Sequence, residues 1–296
     1  MKGHMEGKCF HMKLAVSSYS FSQAVREGRM NIMDVIPKAK EMGYAGVEIV
    51  RGNETDAEMR ALAGYLKIQS AEFGMPIVAY MVGADFLKNG LEREVKRLKG
   101  EAEIAALMGA SRMRHDSTQG FDPEGREVAV DDAIPVLAEG YLRVTEFAAG
   151  LGVHTMIENH GYYMQDSARV KRLVEAVNHP NFGWLVDMGN FLCADENPVS
   201  AMRIAAPMAV HAHAKDFHIK EPGQYTPKQG WFRTRGGSKL RGAIVGHGFV
   251  NVPACLKFLK EAGYDGWLSV EFEGIEDCLF ALKADLENLT EMIESI

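Results

Sequence analysis

Residues 153–190 read VHTMIENHGYYMQDSARVKRLVEAVNHPNFGWLVDMGN, and they decide the fold. The run 153–158 (VHTMIE) is short, apolar and β-branched, which is a strand pattern, and 182–187 (FGWLVD) is another. Between them, residues 167–177 carry apolar side chains at helical spacing. Strand, helix and strand with brief connections form one βαβ unit, and such units build parallel sheets. Each strand ends in a carboxylate, Glu158 or Asp187.

Outward from this unit the same alternation continues. Strand patterns lie at 13–18 (KLAVSS), 45–50 (AGVEIV), 76–81 (PIVAYM), 111–115, 208–213 (MAVHAH) and 267–271 (WLSVE). Helical patterns lie at 32–42, 56–73, 91–108, 130–149, 198–205, 252–262 and 276–293. Gly43, Gly150 and Gly152 stand where helices should stop. Eight strand–helix pairs without a long linker predict an α/β fold, a single (β/α)8 TIM barrel, with a doubly wound sheet as the alternative. The chain has 296 residues, against about 250 for an ordinary barrel. Residues 1–12 read as a polar leader outside the fold, and 13–296 as the catalytic domain. Strand seven is followed by an inserted, polar, Gly-rich loop at 215–247.

Composition removes several function classes. Lys and Arg number 33 against 40 Asp and Glu, a net charge of −7, which argues against a nucleic-acid backbone as partner. No apolar run reaches the roughly 18 residues of a membrane span, and the first residues lack the apolar segment of a secretory signal. Cys9, Cys193, Cys255 and Cys278 are scattered, as expected of reduced thiols in a cytoplasmic protein. No membrane and no nucleic acid are therefore expected as partners; a homo-oligomer is left open.

In such barrels the chemistry sits at the C-terminal ends of the strands. Strands five to eight end in Glu158, Asp187, His213 and Glu271. With 40 acids and 10 histidines in 296 residues, four such ends arise by chance about once in a thousand. Alternation places His211 with His213 on one face, Leu185 with Asp187, and Ser269 with Glu271. Three carboxylates and one imidazole suit one divalent ion of the Mn, Mg, Co or Zn type.

At these residues the chain resembles the sugar phosphate isomerase/epimerase family with a xylose isomerase-like barrel. The matching pieces are IENHG (157–161), VDMGN (186–190), HAHAKD (211–216), GYDGWLSVEFEG (263–274) and AGVEI around Glu48. The resemblance implies that Glu158, Asp187, His213 and Glu271 bind the cation and that Glu158 and Glu271 act as acid and base. It also implies substrate contacts from His160 and Lys215. Asn190 departs from the ketose-epimerase branch, which carries a His three residues after the Asp ligand.

Three further candidate substrate contacts come from position. Glu48 either hydrogen-bonds substrate or seals the rim, and His115 either faces the pocket or is a hydrogen-bonded buried histidine. Arg241 belongs to the inserted loop. The spacings from Glu158 to Asp187 and from Asp187 to His213 are 29 and 26 residues, but His213 to Glu271 is 58, so the loop adds about one βα unit. Its Tyr225, Lys228, Trp231, Phe232, Arg233, Arg235, Lys239 and Arg241 would suit an anionic or polyhydroxylated ligand.

A sugar C–H beside a carbonyl becomes removable when a cation stabilises the developing oxyanion. Return of the proton gives epimerisation or isomerisation; loss of a β-hydroxyl gives dehydration. The leading expectation is a metal-dependent isomerase or epimerase of a sugar, sugar phosphate or cyclitol. The alternative is a dehydratase of an inosose-like or dehydroshikimate-like substrate. An abasic-site endonuclease needs about three metals and more histidines.

Overall fold

The structure is a computed structural model and describes residues 12–296. The leader therefore lies outside the described residues apart from Met12, which is buried in the core. Strands β1 (Lys13–Ser17), β2 (Gly46–Val50), β3 (Ile77–Val82), β4 (Arg112–His115), β5 (His154–Glu158), β6 (Phe182–Asp187) and β7 (Ala209–Ala214) belong to one sheet. After three strands of a separate small sheet comes β11 (Trp267–Val270). Around the closed barrel the order is β1-β11-β7-β6-β5-β4-β3-β2, and every pairing is parallel. The single barrel is thus the fold.

The helices are α1 (Ser22–Arg26), α2 (Val35–Met42), α3 (Asp56–Phe73), α4 (Phe86–Asn89), α5 (Leu91–Met108), α6 (Val130–Ala149), α7 (Ser167–Val177), α8 (Pro198–Ala205), α9 (Val252–Glu261) and α10 (Cys278–Glu294). Local chemistry sets their ends. Thr55 and Glu58 form a capping box at α3, and Asp166 caps α7 by accepting from the Arg169 N–H. Gly43 ends α2 with φ +101°, a conformation open to glycine at little cost. None of the helices among the described residues is long and apolar enough to cross a membrane. Cys193, Cys255 and Cys278 are buried free thiols.

Strand alternation divides the buried side chains. The outward faces meet the helices in one large apolar core. Inside the barrel Ala79, Met81, Met156 and Leu185 form a small apolar plug. Beside it, in register with Ala79 and Leu185, the interior carries Glu48, Glu158 and His211, and the site begins.

The insertion is more ordered than a loop. β8 (Asp216–Lys220), β9 (Phe232–Arg233) and β10 (Lys239–Ala243) form an antiparallel sheet in the order β8-β10-β9. Lys215 alone separates β7 from β8, so the chain leaves the barrel and enters this sheet almost without a break. The Asp216 carboxylate accepts the N–H groups of Gly246, Gly248 and Val250, which ties the far end of the insertion to its start. Phe217 and Leu240 are buried beneath it.

Candidate active site

The last inward positions of β5, β6 and β7 carry Glu158, Asp187 and His213, and Glu271 follows β11. Register aligns them: Asp187 pairs with His213, and His213 with Ser269, two residues before Glu271. One ligand atom from each of the four lies within 4.8 Å of all the others. From His213 Nδ1 the distances are 3.6 Å to Glu158 Oε1, 3.6 Å to Asp187 Oδ2 and 3.7 Å to Glu271 Oε2. These are too long for hydrogen bonds.

Two of these atoms test whether a cation fits. Asp187 Oδ2 and His213 Nδ1 are buried and have no hydrogen-bond partner. A buried polar atom left unpaired costs about 1–3 kcal/mol, and two facing each other across a gap lined by oxygens mark a place for a cation. Glu48 and Glu271 create a field strong enough to hold His213 well above its usual pKa, against the burial that opposes its charge. The donor set fits one divalent cation.

The side chains of this set are held from behind. Asp187 Oδ1 accepts the N–H groups of Gly189 and Asn190, both at 2.8 Å. Asn159 fixes the Asp187 backbone by accepting its N–H and donating to its carbonyl. Gly189 is required here, since a Cβ would lie 2.7 Å from the Lys215 carbonyl oxygen. Glu158 Oε2 accepts from Arg114 Nε at 2.5 Å and from Arg114 Nη2, and Oε1 accepts from Asn190 Nδ2 at 3.0 Å. Burial opposes its charge, but Arg114 and His213 overcome that and keep the Glu158 carboxyl well below the usual range.

Lys215 lies beside the cluster. Its Nζ is 2.5 Å from Glu271 Oε2, 3.5 Å from Asp187 Oδ2 and 3.7 Å from Glu273 Oε2. Burial works against the ammonium, yet Glu271, Glu273 and Asp187 keep it charged far above neutral pH. His160 donates from Nδ1 to Asp116 Oδ1 at 2.9 Å. The Asp116 carboxylate only accepts, so Nε2 of this half-exposed ring stays available.

A pocket of about 240 Å³ opens here, lined by His160, Tyr162, Gln165, Cys193, Phe232 and Glu273. Phe232 comes from the insertion, which is clamped onto the barrel loops. Tyr162 Oη donates to the Arg233 carbonyl at 2.6 Å, Arg235 meets Asp166 at 2.8 Å, and Thr234 Oγ1 donates to Asp195 at 2.6 Å. Tyr162 itself has φ +65°, an uncommon backbone state for a residue with a side chain.

The structure thus gathers Glu158, Asp187, His213, Glu271, Lys215 and His160 around one point. Three other expected contacts lie elsewhere. Glu48 is fully buried below His213 and bonded to it. His115 turns out of the barrel and stacks on Tyr141 with ring centroids 4.3 Å apart. Arg241 faces a cleft of about 510 Å³ with Trp231 and pairs with Glu276 at 3.4 Å. Sequence reasoning missed Arg114, Asp116 and Glu273. Alternation contained the signal for the first: within RMRH, Arg114 and not His115 shares the inward face with the strand-end ligands.

Comparison with known proteins agrees on the architecture. The inosose dehydratase of Geobacillus thermodenitrificans (strain NG80-2) is 23% identical over 256 residues, covering 83% of either chain. The solved IOLI protein with a binding zinc atom superposes with a TM-score of 0.77 at 15% identity, over 96% of this chain and 99% of its own. The probable 3-DHS dehydratase AsbF of Bacillus anthracis, involved in petrobactin synthesis, gives 0.71 at 19% identity, over 94% and 99%. The dehydratase names correct the expectation of an isomerase or epimerase. The physical reason is that all three reactions begin with the same proton removal, so strand-end ligands alone do not encode which product forms. Residues 36–295 match the family described as xylose isomerase-like TIM barrel, and the chain belongs to that family of enzymes.

Proposed function

We propose that this enzyme is a divalent-metal-dependent dehydratase acting on a neutral ring polyol that carries a ketone, of the keto-cyclitol or inosose type. The observation that carries the reading is the contact between Lys215 Nζ and Glu271 Oε2 at 2.5 Å. Epimerisation needs proton carriers on opposite faces of the reacting carbon. Glu158, the expected partner of Glu271, has its oxygens occupied by Arg114 and Asn190 and is held ionised. Glu271 and Lys215 instead place a base and a charged acid side by side, which suits elimination.

Glu158, Asp187, His213 and Glu271 would hold the cation. When bound, it supplies Lewis-acid polarisation of the substrate carbonyl. Glu271 takes the proton from the carbon beside the ketone, and the C–H electron pair forms the new double bond. The β-hydroxyl departs with its bonding pair and takes a proton from the Lys215 ammonium, so one water leaves. The proton on Glu271 then returns to the Lys215 amine across their short contact, which resets both groups. His160, with its Nδ1–H held by Asp116, accepts at Nε2 from a substrate hydroxyl and so orients it.

Pocket chemistry supports a neutral substrate. The six lining residues named above include neither lysine nor arginine. Arg114, Lys215 and Arg235 are all engaged by carboxylates. An inosose is therefore favoured over a dehydroshikimate or a sugar phosphate. The test offers the metal-loaded enzyme an inosose, 3-dehydroshikimate and a ketohexose while the absorbance of each dehydration product is followed, a conjugated ketone from the inosose or ketohexose and an aromatic catechol from 3-dehydroshikimate. The inosose should give absorbance at least tenfold faster than either other compound. Preference for 3-dehydroshikimate, or deuterium exchange without loss of water, would overturn the reading.

A further inference from the structure

We infer that Glu48 and His211 are positioning residues that orient His213 for the cation, and that they do not form a second ion site. The inference rests on the strand-end cluster holding a cation. Glu48, His211, His213 and Ser269 are all wholly buried in the barrel interior, with Glu48 and His211 paired in register with Ala79 and Leu185 of the apolar plug.

Glu48 Oε2 lies 3.0 Å from His213 Nε2, and Glu48 Oε1 lies 2.5 Å from His211 Nε2. An ionised carboxylate only accepts, so both Nε2 atoms carry hydrogen. In the neutral form that a cation requires, this fixes the His213 tautomer: Nε2–H points down to Glu48, and the Nδ1 lone pair points up among Glu158, Asp187 and Glu271. The separation at His211 is a hydrogen-bond length. Two ligand atoms each about 2.0–2.2 Å from one ion sit near 3 Å apart, so an ion has no room between them. Glu48 therefore belongs to the ligand that it supports, as carboxylate–histidine–metal arrangements do.

His211 completes the device. It gives Glu48 a second N–H, which the buried carboxylate needs, and its Nε2 also approaches Ser269 Oγ at 3.1 Å. Strand pairing slips by one residue beside both members, between Val47 and Glu48 and between Trp184 and Leu185, the latter opposite His211. Irregularities of this kind re-aim side chains, and here they coincide with the layer that carries the support.

The experiment measures Co²⁺ affinity by chelator competition, with the visible Co²⁺ spectrum, on the full chain and on Glu48→Gln. Glutamine keeps the shape but offers one acceptor, so one imidazole N–H loses its partner. Affinity should fall 10- to 100-fold with a changed spectrum, while Met81→Leu in the plug leaves both unaltered. If Glu48→Gln does not fold, His211→Asn carries the test with the same expected loss. Wild-type affinity and spectrum in the folded variant would overturn this inference while leaving the cation site standing. Absence of Co²⁺ binding by the wild type would overturn both.

Discussion

A single side-chain contact carries much of the proposed chemistry. Lys215 lies against Glu271 and close to the pocket residue Glu273, and the proposed roles of Lys215 and Glu271 separate experimentally. Glu271→Gln should lower turnover at least about 10²-fold and also weaken cation binding, because the residue is proposed as base and ligand together. Lys215→Met should lower turnover by a comparable factor while cation affinity stays within about threefold of wild type. Steady-state kinetics with a parallel metal titration checks both, and near-normal turnover in Lys215→Met would remove it as the acid. The clustering of the four donors was legible in the sequence because each ends a recognisable strand with the right alternation. The Lys215–Glu271 contact was not, since it joins neighbouring strands whose residues lie 56 positions apart, and only the closed register brings them together.

At the scale of elements, strand β4 shows what one residue of phase decides. Its four residues, RMRH, are too few for a periodicity to stand out, and phase alone separates the inward arginine from the outward histidine. Burial pushes the His115 imidazole down to about 4, so near neutral pH it is an uncharged ring between Phe86 and Tyr141. His115→Phe should therefore keep turnover within about twofold and the melting temperature within a few degrees. Arg114→Leu leaves the Glu158 carboxylate without its cation and should cost about 3–5 kcal/mol in chemical denaturation of the metal-free protein. Equal, small effects from both substitutions would contradict the assigned phase. The insertion was legible as surplus length between His213 and Glu271. Its small sheet was not, because β9 has only two residues and the pinning of 246–250 by Asp216 is tertiary.

Across the whole molecule, acidity and pocket chemistry are separate matters. The net charge of −7 says nothing of the cations that the site places against its carboxylates. A buried acid far from the pocket gives the fold a pH dependence of its own. Burial pushes Asp285 on α10 up to about 7, with only the Val245 N–H in support and Oδ2 unpartnered. A carboxyl raised in the folded state costs stability as pH climbs above its unfolded value, and the cost is complete above the folded one. Asp285→Asn should therefore be more stable than wild type at pH 8, by about 3 kcal/mol more than at pH 5. Denaturant titrations at both pH values check this, and a gap that does not widen with pH would contradict it.

The central claim joins one cation, four strand ends and loss of water. Its most direct test is to strip the protein of metal and titrate it with Mn²⁺ while conjugated ketone forms from an inosose. The rate should rise from near zero in proportion to added ion and level off at one equivalent per chain. Full activity in the stripped protein, a requirement for two or more ions, or no conjugated ketone at any loading would contradict the account.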